Sequence, residues 1–176
     1  MTNQPIPKEV YHPFFFPEHE MTLPANLLQV FHSKQTFIHE IAFYSGHESL
    51  QPWMDPEQYI PKLLNEWKLV EEELRGLFQN RDKENILMPM KRGIGYLIES
   101  IYWSNGFPVS LDMHFDMNSL DLKPVNITER LQFLLARPSI YPSFIQLTEL
   151  FEEQEKQFLK YIAIKKATKK PDNNYL

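Results

Sequence analysis

The 176-residue chain has no cysteine, only five glycines, no long apolar run and little positive charge before its last residues. The first absence removes disulfide scaffolds, thiolate zinc sites, thiol nucleophiles and iron–sulfur clusters, so any metal site would have to be built from histidine and carboxylate. No apolar stretch approaches the roughly 18 residues that a bilayer span needs. The polar start at residues 1–8 is unlike a secretory leader, so a cytoplasmic protein without a membrane span is expected. Bases are scarce in the body: residues 1–155 hold 22 acids and 12 bases, whereas residues 156–176 hold six lysines and one acid. A body of that charge does not attract nucleic acid, which requires a clustered positive face. What the chain has in quantity is apolar residues at 43%, aromatic residues at 14% and 14 prolines. That composition predicts one globular domain whose elements are punctuated by proline.

The spacing divides the chain into residues 1–22, an extended arm rich in proline and phenylalanine; residues 23–164, a single helical domain; and residues 165–176, a basic tail. Pro5, Pro7, Pro13 and Pro17 keep the arm out of helix, and Phe14, Phe15 and Phe16 are expected to lie back on the body, because such a cluster is costly in water. Leu27, Leu28 and Phe31, then Phe37, Ile38, Ile41 and Ala42, suit one or two short helices, with Ser33 as a cap and Ser45-Gly46 as the stop.

The clearest helix starts at Asp55-Pro56 and runs to about Gln79, with Ile60, Leu63, Leu64, Trp67, Val70, Leu74, Leu77 and Phe78 on one stripe. Asp82 is placed to cap the next, whose stripe passes through Ile86, Leu87, Met90, Ile94, Leu97, Ile98 and Ile101 and ends at Ser104-Asn105-Gly106. Two or three residues between them predict antiparallel neighbours. From 107 to 124 the period changes: Leu111, Met113, Phe115 and Met117 alternate with polar residues, an extended crossover. Asn126 to Glu129 reads as a capping box for a helix that stops at Arg137-Pro138, and a last helix begins near Pro142. The fold class predicted is an all-α bundle of about five or six helices with one extended crossover segment.

Few residues are arranged for chemistry. Asp112, His114 and Asp116 share one face of the extended segment and, with His39 or His47, form the best metal-type set. It is not a calcium loop, because the sixth and twelfth places hold Met117 and Lys123 instead of Gly and Glu. Glu-x-x-His occurs once, at Glu9 and His12 in the arm, and His-x-x-x-His, Gly-x-Ser-x-Gly and the phosphate-binding Gly-x-x-x-x-Gly-Lys do not occur. No cofactor is expected.

Pro89, Gly93 and Gly95 are anomalous inside a helix, where glycine costs about 1 kcal/mol and proline about 3. Either the glycines admit a neighbouring helix, or they leave room beside Lys91 and Arg92 for an anionic ligand, with Trp67 and Trp103 as further walls of a binding pocket. Glu66 and Glu99 are expected at solvated positions. Lys165, Lys166, Lys169 and Lys170 suit the negative end of a helix and are also the candidate contacts for an anion such as nucleic acid.

A set of short motifs carries a family resemblance: Glu40-Ile41-Ala42-Phe43-Tyr44-Ser45-Gly46, Gln51-Pro52-Trp53, Tyr102-Trp103-Ser104-Asn105-Gly106, Lys123-Pro124-Val125-Asn126, Glu129-Arg130-Leu131 and Ser143-Phe144-Ile145-Gln146-Leu147. Over about residues 37–165 the chain resembles the YpoC-like family of bacilli and their relatives. The resemblance implies a small cytoplasmic protein, with no catalytic residue or cofactor to carry over, whose gene lies near those for DNA repair and replication initiation. Two functions are expected in order: a non-catalytic binding or adaptor protein in a protein or protein–nucleic-acid assembly, then a small metal-dependent helical enzyme using His39, His47, Asp112, His114 and Asp116.

Overall fold

The computed structural model describes residues 2–112 and 116–169. Over these residues the fold is all-α, as the periodicity predicts: α1 spans Ile38–Tyr44, α2 Pro56–Gln79, α3 Leu87–Ser104, α4 Ile127–Ala136 and α5 Tyr141–Thr168. A small antiparallel pair, β1 at Thr2–Pro5 and β2 at Glu20–Leu23, sets Asn3 opposite Thr22 and Pro5 opposite Glu20. Neither strand is anticipated by the sequence, because Thr2–Pro5 shows no alternation and Glu20-Met21-Thr22-Leu23 alternates over only four residues.

α3 is the axis. Its first turns carry exposed Leu87 and Met88 and the half-buried Lys91 and Arg92, but from Gly93 to Ser104 each residue is buried, the pattern of a helix surrounded by others. α2 and α5 pack along it, and α4 packs on α5. α2 turns its predicted stripe inward, Ile60, Leu63, Leu64, Trp67, Val70 and Leu74 being buried and Leu77 and Phe78 partly so. At 24 residues it is about 36 Å long. Trp67 of α2 stacks on Phe151 of α5 with centroids 4.2 Å apart.

The arm lies on this body. Ile6 and Val10 are buried, Leu111 N–H donates to Glu9 O at 2.6 Å, and Phe15 meets Phe37 edge to face at 5.0 Å.

Several local expectations are corrected. Residues 24–37 form isolated turns rather than a helix, since Leu28 and Val30 are exposed while Leu27 is buried, which leaves no continuous stripe. Ser33 caps nothing; its hydroxyl donates to Glu66 at 3.1 Å. α1 instead begins after Phe37 in the left-handed conformation, φ 57°. Between α2 and α3 the chain takes seven residues, including a 3-10 turn at Lys83–Asn85, rather than two or three. Pro89 is consequently the third residue of α3, where its missing N–H has no helical partner to lose. Asn126 does precede α4, but in the left-handed conformation and without a side-chain cap bond, so no capping box forms.

Candidate functional site

Gly95, Glu99 and Trp103 are four residues apart on α3 and therefore lie on one stripe, and α1 is docked through them. A Cβ at Gly95 would stand 2.8 Å from Thr36 Cγ2, so only glycine admits the segment entering α1 this closely. One turn on, Glu99 Oε1 accepts the N–H of Phe37 at 3.0 Å. One turn further, Trp103 Nε1 donates to Glu40 Oε1 at 2.6 Å, and Val109 N–H reaches the same oxygen at 3.3 Å.

Two carboxyl groups are thereby enclosed, Glu40 at 0% and Glu99 at 3% exposure. Burial pushes Glu40 up to about 7, although its bonds to Trp103 and backbone N–H groups favour the charged form. Glu99 is held well above the ordinary carboxylate range, first by burial and then by the charge of Glu40. Two charges in such a space repel, so the pair retains a proton near neutrality. Tyr96 lies on the same helix; its hydroxyl is raised to about 12, by burial and by the charges of Glu66 and Glu99. The cluster can hold a proton, but it is sealed from any substrate.

Glu99 was expected in solvent. The correction has a visible cause: it is the only acid between Ile94 and Trp103, in a segment apolar on all faces, where no polar side exists for it to occupy. That isolation was a usable signal.

The predicted metal set is not brought together among the described residues. His39 is buried, stacks on Phe31 with centroids 5.3 Å apart, and accepts the N–H of His32 at 3.2 Å. Burial lowers it to about 4, the nearby His32 adding to the shift and the Leu50 backbone opposing it. His47 is exposed and bonds Gln4 at 3.0 Å. Asp116 accepts the N–H of Asn118 at 2.9 Å as the cap of a 3-10 turn at Met117–Ser119. His114 lies outside the described residues, and among those described no three histidine or acidic side chains are grouped to hold a metal ion.

The predicted pocket residues meet in part. A Cβ at Gly93 would stand 2.7 Å from Trp67 Cζ3 and 3.0 Å from Leu147 Cδ2, so the space between Gly93 and Trp67 is filled by packing. Arg92 pairs with Glu73 at 2.7 Å, and Lys91 Nζ lies 5.4 Å from the centre of the Phe14 ring. Trp103 is ten residues beyond Gly93, about 15 Å along the helix. In the tail, Lys165 and Lys166 face Glu57 at 3.6 and 3.8 Å, Lys169 is exposed, and Lys170 lies outside the described residues.

Accessible hollows occur at both ends of the bundle. One of about 510 Å³ lies where α2 begins, α3 ends and α5 nears its last turn, with Trp53, Met54, Asn105, Tyr161 and Lys165 among its walls. Its shape is held by Asn105, whose amide donates to Ile101 O and Leu122 O at 2.7 and 2.9 Å while its oxygen accepts the N–H of Leu122 at 2.9 Å. A second, of about 410 Å³, lies at the opposite end of α2.

A family model described as YpoC-like protein matches residues 57–166. The chain belongs to the YpoC-like family. Over 115 residues it is 39% identical to "Uncharacterized protein YpoC" of Bacillus subtilis (strain 168), covering 64% of this chain and 70% of that one. No solved structure matches it. In this YpoC-like chain the family match begins at Glu57 rather than near Phe37, so it comprises α2 to α5 and leaves the α1 motif and Gln51-Pro52-Trp53 outside. Trp53 nevertheless shares the 510 Å³ hollow with Ser104, Asn105 and Gly106 of the α3 stop motif.

Proposed function

We propose that the protein is a non-catalytic binding protein, an adaptor in a cytoplasmic protein or protein–nucleic-acid assembly, with residues 1–22 as a strap, 23–164 as the domain and 165–176 as a basic tail. The observation that carries this reading is a division of labour. The carboxyl and imidazole groups that the fold perturbs most, Glu40, Glu99 and His39, are enclosed, whereas the accessible hollows join aromatic and aliphatic side chains to polar ones, Asn105, Asp121 and Lys165 in the larger and Arg81 and Lys83 in the smaller. Concave surfaces that set a few charged groups among apolar side chains are suited to binding.

The test is affinity capture from cells of the source organism, followed by reconstitution of the complex from purified components. A stoichiometric complex is expected. If none reconstitutes and untagged protein carries stoichiometric bound metal, the metal-dependent alternative through His39, His47, Asp112, His114 and Asp116 replaces this reading. Nucleic acid would be reached through Lys165, Lys166, Lys169 and Lys170, and four phosphate contacts would give a log–log salt slope of about −3.6 in a mobility-shift titration.

A further inference from the structure

α2 ends in a tight turn: Asn80 N–H donates to Gly76 O at 3.0 Å, Arg81 N–H to Phe78 O at 3.1 Å and Asp82 N–H to Leu77 O at 2.9 Å. Arg81 occupies the position after the helix that glycine usually takes, with φ 54° in the left-handed region that a Cβ disfavours. Its side chain and that of Lys83 border the apolar hollow of about 410 Å³, in which Phe78 and Ile86 face Ile140 and Tyr141. A neighbouring hollow of about 340 Å³ shares Phe78 and Tyr141 and adds Arg75 and Phe144. The two therefore form one groove between the end of α2 and the start of α5. Phe78 lies 5.4 Å from both Tyr141 and Phe144, centroid to centroid, and Tyr141 remains 55% exposed.

The charge here runs against the rest of the body. Residues 1–155 are acidic by ten, yet the groove carries Arg75, Arg81 and Lys83. Arg75 is paired with Glu71, while Arg81 and Lys83 have no ion pair among the described residues. Asp82, between them, accepts the amide of Asn85 at 2.8 Å. The first turn of α5 also brings its positive end to the groove, and no side chain caps it.

We infer that this groove docks an acidic peptide segment of a protein partner, with one large apolar side chain seated against Phe78 and Tyr141 and carboxylates meeting Arg81 and Lys83. This rests on the binding-protein reading and names the partner's chemistry. A single strand of nucleic acid also offers a flat ring beside an anion. Its affinity, however, sums over many phosphates, which an acidic body repels, whereas a peptide needs two or three carboxylates at one place.

The experiment is phage display of random peptides on the full chain, followed by fluorescence anisotropy with the labelled consensus peptide. Recovered peptides are expected to set Asp or Glu around Phe, Trp, Leu or Ile. The affinity is expected to fall about tenfold or more in Arg81→Gly and in Tyr141→Ala, and to weaken from about 50 to about 300 mM salt. Arg81→Gly relieves the left-handed strain, so its melting temperature does not drop and lost binding reads as a lost contact. Peptides without acidic enrichment, equal binding by Arg81→Gly, or an oligothymidine bound in an Arg81-dependent way would each overturn the proposal. A cellular partner captured equally by wild type and Arg81→Gly refutes the groove and leaves the adaptor reading standing. Groove-dependent peptide binding without any reconstituted complex does the reverse.

Discussion

A carboxyl group enclosed by apolar side chains keeps its proton to a higher pH than one in water, and that difference becomes a dependence of stability on pH. For Glu40 the ordinary value of 4.5 rises to about 7. Its contribution is therefore complete below pH 4.5 and is lost as pH rises to about 7, an effect on the order of 3 kcal/mol. Glu99, shifted in the same direction, extends the loss to higher pH. His39 acts oppositely: lowered from 6.5 to about 4, it contributes above pH 6.5 and loses that contribution as pH falls through its folded value. Glu40→Gln and Glu99→Gln each keep an oxygen to accept from Trp103 or Phe37 while removing the titration. Thermal melts should show each variant gaining on wild type as pH rises from about 5 to about 8, with the smallest difference at the acid end. Equal gaps at all pH values would show that the pair is not protonated in the folded chain.

Among the elements, α3 bears the tightest constraints. Its two glycines serve different neighbours, Gly93 the Trp67 ring and Leu147, Gly95 the Thr36 side chain. Alanine gains about 1 kcal/mol of helix propensity over glycine, but a methyl group 2.7 Å from a ring locked by stacking on Phe151 forces overpacking of about 1–3 kcal/mol. Gly93→Ala should therefore gain nothing and lose up to about 2 kcal/mol in urea unfolding. A stabilised variant would show that Trp67 moves freely. The N-cap of α4 makes the complementary point: Asn126 stands where the sequence places it, yet does so by adopting φ 54° rather than by a side-chain bond. Position along the chain follows from local residue type; the means of capping follows from how the crossover enters the bundle.

For the molecule as a whole, the arm is part of the core rather than an appendage. Within residues 1–22, Ile6 and Val10 are buried, and Phe14, Phe15 and Phe16 pack partly against the core. At about 1.5–3 kcal/mol for each fully buried side chain, removing residues 1–22 should cost several kcal/mol and lower the melting temperature by more than any single substitution above. A truncated chain with an unchanged melt would mean that the arm merely rests on the surface. Charge behaves differently at this scale: Lys165 and Lys166 meet Glu57 in partly exposed pairs, so Glu57→Gln should change stability by less than about 1 kcal/mol.

The sequence by itself determined the helical class, the span of α2 from Pro56 to Gln79, the stops at Gly46, Gly106 and Arg137, and the start of α5 beside Pro142, because propensity, proline and the spacing of apolar residues act over a few neighbours. Tertiary structure alone decided which side chains share a space. That Gly95 admits Thr36, that Glu99 is enclosed beside Glu40, and that Arg81 lines the same hollow as Tyr141, sixty residues away, depend on how α1, α2, α3 and α5 cross. The energies concerned, burial of charge and close contact, are set by atoms far off in sequence; the apolar neighbours of Glu99 signal that it is enclosed, but no local pattern records its partner.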